Sequence, residues 1–133
     1  MEMEPLSYIP AGVLAAALSW VTNGLLIRFL GSRGVIYLSP GVEEGAKTGL
    51  ALWFSASIPA SHLVFGLVEG VWDAFKGRRG PAAGLVGVAS HGLYGLLTWW
   101  LYRFTGNPWM AVAGACLVHV AWNRLVYHLS ARC

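Results

Sequence analysis

Long apolar segments, separated by short polar turns, follow one another along almost the whole chain. A window of about 19 residues finds five segments that suggest transmembrane helices, at about residues 8–30, 35–57, 59–75, 82–102 and 108–129. Unbroken runs favour helices, because a membrane β-barrel shows segments of about ten residues with alternating polarity. The pattern predicts an all-α fold: a polytopic integral membrane helix bundle of about five transmembrane helices, forming a single domain over residues 1–133.

Two proline positions affect the predicted boundaries. Pro59 suits the first turn of a new helix with Ser57 as its N-cap, which separates the second segment from the third. Pro40 and Gly41 precede two glutamates and allow two interpretations. Either a membrane helix is broken beside a water-filled cavity, or a helix begins at Gly41 and carries the glutamates in its first turn, where the helix dipole favours anions.

Composition also indicates a membrane protein. Of 133 residues, 56% are hydrophobic and 11% are charged, whereas an average soluble domain is about 25% charged. Mean hydropathy is +0.58, and a soluble chain of this size could not bury so much apolar surface. The first apolar run is too long for a signal-peptide core, so we expect it to be retained. Cys116 and Cys133 indicate neither a disulfide framework nor a thiolate metal site.

The basic residues are distributed asymmetrically, although the net charge is only +3. Most follow the first, third and fifth segments, which end on one membrane face: Arg28, Arg33, Lys76, Arg78, Arg79 and Arg132. The opposite face receives Glu2, Glu4 and Arg103. The positive-inside rule then predicts an N-terminus outside and a C-terminus in the cytoplasm. These residues set the topology in the lipid bilayer, and we expect no nucleic-acid binding.

Polar residues interrupt the apolar segments at related positions. An ionised group in the middle of a bilayer costs about 2.5–3.5 kcal/mol even on the mild insertion scale, so such residues indicate a functional site. The polar residues of the four later segments are Glu43, Glu44, Lys47, His62, Glu69, Asp73, His91, His119, Asn123 and Arg124. At about 1.5 Å per residue, one group from each segment lies about 10–15 Å from the same predicted face: Glu44, Glu69, His91 and His119, with Asn123.

Helical spacing refines this cluster. His119 and Asn123 are four residues apart, on one helical face. Lys47 follows the adjacent glutamates by four and three residues and can neutralise one of them. We expect Glu44 to be the carboxylate that stays free, and Glu43 to be the one that is held.

Two other polar residues of these segments are expected outside the cluster. Asp73 lies near Lys76 and is predicted to be an interfacial charge, while His62 is predicted to lie too near the outer end of its helix to join the cluster.

Small residues at four-residue spacing in the second and third segments predict close packing of these two helices: Gly45 with Gly49, and Gly66 with Gly70.

Three kinds of chemistry fit adjacent glutamates, a third glutamate and two histidines. A glutamate can act as general base on a water that attacks a peptide carbonyl, with His119 and Asn123 stabilising the oxyanion. Alternatively, the glutamates and histidines can ligate a divalent metal such as zinc, although no His-Glu-x-x-His spacing is present. In the third alternative they form a proton or ion relay, or a polar network that only fixes helix packing.

Four elements, in this order, resemble the motifs of PrsW-type glutamic intramembrane proteases. Glu43 to Lys47 resembles a Glu-Glu-x-x-Lys motif, Phe65 to Glu69 a Phe-x-x-x-Glu element, His91 the next histidine motif, and 119–123 a final His-x-x-x-Asn. With Pro40 and Gly41 they extend over residues 40–123, most of the chain.

The resemblance implies an intramembrane endopeptidase that needs no metal and no cofactor. The implied catalytic residues are Glu43, Glu44, Glu69, His91, His119 and Asn123, with Lys47 in support. One of the adjacent glutamates would be the base for a catalytic water, and the third glutamate and the first histidine would hold that water or its protons. The last histidine and the asparagine would form the oxyanion site. The implied partners are membrane-anchored protein substrates, notably anti-sigma factors, in a prokaryotic cell membrane.

The chain departs from this family in size and in orientation. Family members are usually larger, so this chain is a minimal version or completes its groove as a homo-oligomer. The predicted orientation places the cluster toward the cytoplasm, which fits the CAAX-processing proteases of the same superfamily, whereas anti-sigma cleavage is expected on the opposite side. The superfamily also includes the scaffold subunit of γ-secretase. A non-catalytic membrane scaffold, or a metal or proton transporter, therefore remains an alternative.

Overall fold

A computed structural model describes residues 6–130, and its regular structure is entirely helical. Along the chain lie α1 (Tyr8–Arg33), a π-helical turn (Gly34–Leu38), α2 (Ser39–Trp53), α3 (Ile58–Ala74), α4 (Gly80–Thr105) and α5 (Pro108–Ser130). No strand is present within these described residues, so the all-α prediction is confirmed. Parts of the charge and cysteine predictions fall outside the described residues: Glu2, Glu4, Arg132 and Cys133.

The chain reverses direction within its first helical stretch, at Gly31. Helical structure continues from Tyr8 to Trp53, but Gly31 has φ 60° and ψ −147°, a conformation open essentially only to glycine. A straight helix would separate Asn23 and Glu43, which are 20 residues apart, by about 30 Å. Their side chains are instead hydrogen-bonded at 2.8 Å. Helix α2 therefore folds back beside α1.

The predicted count of about five transmembrane helices is not supported. The chain reverses at Gly31, within the boundary expected near residues 30–35, but helical structure continues across it, so residues 6–130 form four helical stretches. Two of these, Tyr8–Trp53 and Pro108–Ser130, are long and apolar enough to cross a membrane. Helix α3 has only 17 residues, fewer than the roughly 20 that a span needs. The glycines, histidine and tryptophans of α4 lower its hydropathy.

The two proline predictions have different outcomes. Ser57 is the N-cap of α3, its hydroxyl accepts from the Ala60 N–H, and Pro59 lies in the first turn, as expected. Helix α2 begins at Ser39, directly after the π-helical turn, with Pro40 in its first turn. The adjacent glutamates therefore lie in the second turn of α2, beyond the first-turn position that one interpretation gave them.

Helices α3 and α4 pack closely because glycines leave room at their contact. A Cβ at Gly70 would lie 2.9 Å from the carbonyl oxygen of Gly84, and a Cβ at Gly84 would come closer still to the carbonyl oxygen of Gly70. Gly66 faces the next turns of α4. Close packing at Gly66 and Gly70 thus joins α3 to α4, where the sequence had suggested α2. A Cβ at Gly45 or Gly49 would meet nothing within 4 Å.

The bundle is polar inside and apolar outside. Lys47, His62 and Glu44 are among the largest fully buried side chains. Large apolar side chains lie on the exterior, and Trp53 and Phe75 are 83% and 85% exposed. Soluble domains rarely bury Lys and Glu in this way and rarely expose apolar patches of this extent.

We expect Gly84→Ala to destabilise the bundle, because the new Cβ would overlap the α3 backbone at Gly70. Overpacking of this kind costs about 1–3 kcal/mol. The matched control is Gly87→Ala, one turn further along α4, where a Cβ meets nothing within 4 Å. The control should be stabilising by about 0.5–1 kcal/mol, through helix propensity alone. Thermal unfolding in detergent, followed by circular dichroism, measures both; equal midpoints for the two variants would contradict the glycine contact.

Candidate functional site

Side chains from four helices meet in the interior of the bundle. We call this set the carboxylate–histidine cluster: Glu43, Glu44 and Lys47 on α2, His62 and Glu69 on α3, His91 on α4 and His119 on α5. All are buried except Glu69, whose side chain is 38% exposed. The cluster therefore contains three carboxylates, one ammonium and three imidazoles, and all but one of these groups are buried in the bundle.

Glu44 lies at the centre of the cluster. Its Oε1 accepts hydrogen bonds from Lys47 Nζ at 2.6 Å and from His119 Nδ1 at 2.9 Å. Its Oε2 lies 3.6 Å from His62 Nδ1, too far for a hydrogen bond. Glu44 is thus paired with a cation through one oxygen, while the other has no hydrogen-bond partner among the described residues.

Glu43 is held by neutral groups. Its Oε1 accepts from Asn23 Nδ2 at 2.8 Å. Ser39 Oγ lies 2.7 Å from the same oxygen and 2.6 Å from Asn23 Oδ1, and can donate its single proton to one of them at a time. The second oxygen, Oε2, lies 3.8 Å from His119 Nε2. Glu43 therefore has no ammonium partner, and its charge is stabilised by an amide, a hydroxyl and a nearby imidazole.

Lys47 fixes the tautomer of His91. The ammonium has no acceptor lone pair, so Lys47 Nζ donates to His91 Nδ1, at 3.1 Å. A neutral imidazole that accepts at Nδ1 carries its proton on Nε2, and that nitrogen lies 2.8 Å from Glu69 Oε2. The remaining side of the ammonium faces the Phe65 ring at 4.7 Å. A hydrogen-bonded chain therefore runs from Glu44 through Lys47 and His91 to Glu69.

His119 connects the two adjacent glutamates. Its Nδ1 contacts Glu44 and its Nε2 faces Glu43, so the two ring nitrogens point to different carboxylates. The Tyr94 ring stacks on the imidazole, with centroids 4.6 Å apart. An imidazole in this position can accept a proton from one carboxylate and release another toward the second.

The structure brings together six of the seven residues predicted from the sequence: Glu43, Glu44, Lys47, Glu69, His91 and His119. Asn123 is separate. It lies one turn beyond His119 on α5 and is half-buried, and its side chain makes no hydrogen bond within residues 6–130. Asp73 forms a partly exposed pair with Lys76, at 2.8 Å, as expected of an interfacial charge.

Two predictions about the cluster were wrong. Lys47 pairs with Glu44, three residues before it, so Glu44 is the carboxylate that is held, and Glu43 is the one without a cation. His62 also belongs to the cluster, fully buried beside Glu44.

Sequence reasoning missed the residues that hold Glu43 and His119. Asn23 is the one amide in the first apolar segment, and this could have marked it as a candidate site residue. Its contact with Glu43, however, depends on the reversal at Gly31. Ser39 precedes Glu43 by one helical turn, which is a normal spacing for a side-chain hydrogen bond. No sequence pattern distinguishes Tyr94 from the other aromatic residues of α4.

A groove of 1120 Å³ runs between α1 and α3 and reaches the edge of the cluster. Its walls are mainly apolar, and Trp20 and Trp72 meet edge-to-face with centroids 6.2 Å apart. Asn23 and Glu69 also line it. Because Asn23 bonds to Glu43 and Glu69 bonds to His91, this groove offers an approach to the cluster from outside the bundle.

One combination of residues has the spacing of a metal site. Glu43, Glu69 and His91 each offer an atom within 4.8 Å of the other two. The proton that Lys47 places on His91 Nε2 opposes coordination there, because a metal needs the lone pair of that nitrogen. The same three groups can hold a water molecule without any change of protonation.

Comparisons of the chain with protein-family models, with curated proteins and with solved structures found no match. The function of the cluster is therefore inferred from its own geometry and chemistry.

We expect Lys47→Met to destabilise the protein strongly, because Glu44 would keep a buried charge without its cation. Breaking a buried pair in this way costs about 3–5 kcal/mol. Adding Glu44→Gln should recover much of the loss. Lys76→Met, which removes the partner of Asp73 from a partly exposed pair, is the control and should change stability by about 0–1 kcal/mol. Chemical unfolding of the four proteins in detergent tests this, and similar losses for both lysine variants would refute it.

Proposed function

We propose that this protein is a glutamic intramembrane protease, which hydrolyses peptide bonds of membrane-anchored protein substrates without a metal or cofactor. The observation that carries the proposal is a buried set of carboxylates and imidazoles that borders an open apolar groove. Buried titratable groups beside a cleft are typical of a catalytic centre.

A position within the membrane is supported by the surface as well as by the helices. Two helical stretches have the length and composition of membrane spans. The exterior carries large exposed apolar side chains, and the ionisable residues of the carboxylate–histidine cluster turn inward. A prokaryotic cell membrane, with the N-terminus outside and the C-terminus in the cytoplasm, remains a prediction from the sequence.

In the proposed reaction, Glu43 is the general base. Glu44 is paired with Lys47, whereas Glu43 has no cation and faces the space that it shares with Glu69 and His91. A water in that space can give a proton to Glu43 while Glu69 and His91 hold it toward a substrate carbonyl. Glu43 then returns the proton to the leaving nitrogen.

Oxyanion stabilisation is assigned to His119. Its Nε2 faces the base at 3.8 Å. Because Nδ1 already donates to Glu44, the ring offers an N–H at Nε2 when it is an imidazolium, and this N–H lies beside the proposed water position. Glu44 and Lys47 support it indirectly, because the Glu44 carboxylate accepts from Nδ1 and fixes the ring. Asn123, which the family resemblance implies as a second donor, lies outside this network and receives no step here.

A non-catalytic scaffold is the second candidate. It is favoured by two buried contacts between helices: Lys47 with His91, which joins α2 to α4, and Glu44 with His119, which joins α2 to α5. In this alternative the cluster fixes helix packing, and substitution of its carboxylates would change stability without loss of a catalytic rate.

We expect Glu43→Gln to reduce the cleavage rate by about 10²–10⁴-fold, the usual contribution of a general base. Substrates are first found by comparing membrane proteomes of cells that express the wild type or Glu43→Gln, since uncleaved proteins accumulate with the variant. Cleavage is then measured with purified enzyme in liposomes. His128→Asn, which removes a titratable group outside both the cluster and the groove, is the control and should cleave normally.

Two results would count against this mechanism. Unchanged cleavage by Glu43→Gln would exclude Glu43 as the base and favour the scaffold. Cleavage that disappears with a chelator and returns with zinc would show that a metal supplies the activated water.

We expect Gly24→Phe to obstruct substrate access. Gly24 lines the groove, and a Cβ there meets nothing within 4 Å, so the ring can fill the groove without disturbing the backbone contacts. Gly87→Phe is the control, because Gly87 is equally open but does not line the groove. Liposome cleavage should fall for Gly24→Phe alone, with equal thermal stability of the two variants. Equal activities would exclude this groove as the approach.

A further inference from the structure

A second cavity lies at the end of the bundle where α2 and α4 end and α3 begins. It has a volume of 420 Å³, and its walls are mainly apolar. They are formed by the end of α2, the α2–α3 connection, the first residues of α3 and the last turns of α4. No residue of the carboxylate–histidine cluster lines this cavity, so the proposed reaction gives it no role.

The α4 wall of the cavity changes in character along the helix. Leu96, Trp99 and Arg103 follow one another at spacings of three and four residues, which places them on one helical face. At 1.5 Å per residue, Arg103 lies about 10 Å further along the axis than Leu96, toward the end of the bundle. The wall therefore begins with an aliphatic side chain and ends with a guanidinium, which matches a molecule with an apolar tail and a charged head.

Arg103 has no acidic partner. Within residues 6–130 its guanidinium forms no ion pair and no hydrogen bond, and its contact is with the Trp99 ring, 5.8 Å from the centroid. Among the described residues that line the cavity there is no Asp or Glu. The guanidinium has five N–H donors and no acceptor, and it binds the oxygens of a phosphate or carboxylate in pairs. Because Arg103 is exposed, an anion from outside the chain can reach it.

The other polar side chains in the wall can also donate hydrogen bonds. Trp99 has an indole N–H and Tyr102 a phenol O–H. The Ser57 hydroxyl accepts from the Ala60 N–H at 3.4 Å, which leaves its own proton available. These donors favour an anionic head group, and the cavity has no carboxylate to bind the cationic part of a zwitterionic one.

Exposed tryptophans surround this end of the bundle. Trp53 ends α2, Trp99 and Trp100 lie near the end of α4, and Trp109 lies at the start of α5. Tryptophan is enriched where a membrane meets water. In the membrane position described above, Arg103 therefore lies at the level of the lipid head groups, while Leu96 lies at the level of the acyl chains.

We propose that this cavity binds an anionic phospholipid of the surrounding bilayer. The phosphate accepts hydrogen bonds from Arg103, and an acyl chain lies in the apolar part of the cavity against Leu96 and Ala56. The bound lipid contacts α2, α3 and α4 together, so it stabilises the folded bundle by mass action. This binding does not depend on the proposed hydrolysis.

The head-group contact is tested with Arg103→Gln. Native mass spectrometry of the full chain in a non-ionic detergent measures the binding of added phosphatidylglycerol. We expect the variant to bind it about 10–100-fold more weakly, through the loss of charge-assisted hydrogen bonds. Arg28→Gln is the matched control and should bind as the wild type does. The Arg28 guanidinium likewise contacts an aromatic ring, that of Phe29 at 5.9 Å, but it does not line the cavity.

The acyl-chain contact is tested with Leu96→Trp, whose larger side chain fills part of the cavity and should weaken phosphatidylglycerol binding. Leu93→Trp, about one turn earlier on α4, is the control, because Leu93 lies outside the cavity. Both leucines are exposed, at 53% and 65%, so both variants should fold.

The wild type alone gives a further test, which decides the proposal even where a variant does not fold. Diacylglycerol with the same acyl chains lacks the phosphate, and inorganic phosphate lacks the chains, so both should bind more weakly than phosphatidylglycerol. Diacylglycerol that binds as tightly would show an apolar cavity without head-group recognition, and inorganic phosphate that binds as tightly would show an anion site only. Either result would overturn the proposal, as would equal phosphatidylglycerol binding by Arg103→Gln and the wild type.

Discussion

The buried pair of Lys47 and Glu44 is the interaction on which the rest of the structure depends. Removing an ammonium and a carboxylate from water costs several kcal/mol per ion, and mutual attraction offsets this only when further hydrogen bonds satisfy both groups. Lys47 finds its second acceptor in His91 on α4, and Glu44 finds its second donor in His119 on α5. The solvation requirements of two α2 residues therefore fix the positions of α4 and α5 relative to α2.

Backbone features bring the remaining helices to this pair. The reversal at Gly31 returns the chain on itself, which places Asn23 of α1 against Glu43. The glycine contact between α3 and α4 shortens their separation, so Glu69 of α3 can reach His91 of α4. The lack of a side chain at Gly70 and Gly84 is thus as necessary to the cluster as the charged side chains that form it.

The sequence predicted the all-helical class and most of the cluster, for a simple physical reason. Helical rise per residue is constant, so ionisable groups at similar distances from one face must lie at similar depth. The break between the first two segments was predicted at residues 30–35, where the chain reverses at Gly31, but hydropathy could not show that helical structure continues across it. Spacing alone also could not decide between the two glutamates, since Lys47 can reach three or four residues back. The predicted segment ends place His62 outside the cluster and Asn123 within it, because residue counts treat all helices as starting at one level.

The three carboxylates differ mainly in what surrounds them, and this difference separates a structural role from a catalytic one. Glu44 is completely buried and paired with a cation, which suits a fixed charge that orients His119. Glu69 is partly exposed to the groove and can meet a substrate. The environment of Glu43 is intermediate: its side chain is buried, and one of its oxygens is hydrogen-bonded only to neutral groups. A carboxylate that gains and loses a proton during a reaction must not depend on a permanent cation; Glu44 fails this condition, whereas Glu43 meets it and has one oxygen that makes no hydrogen bond within residues 6–130.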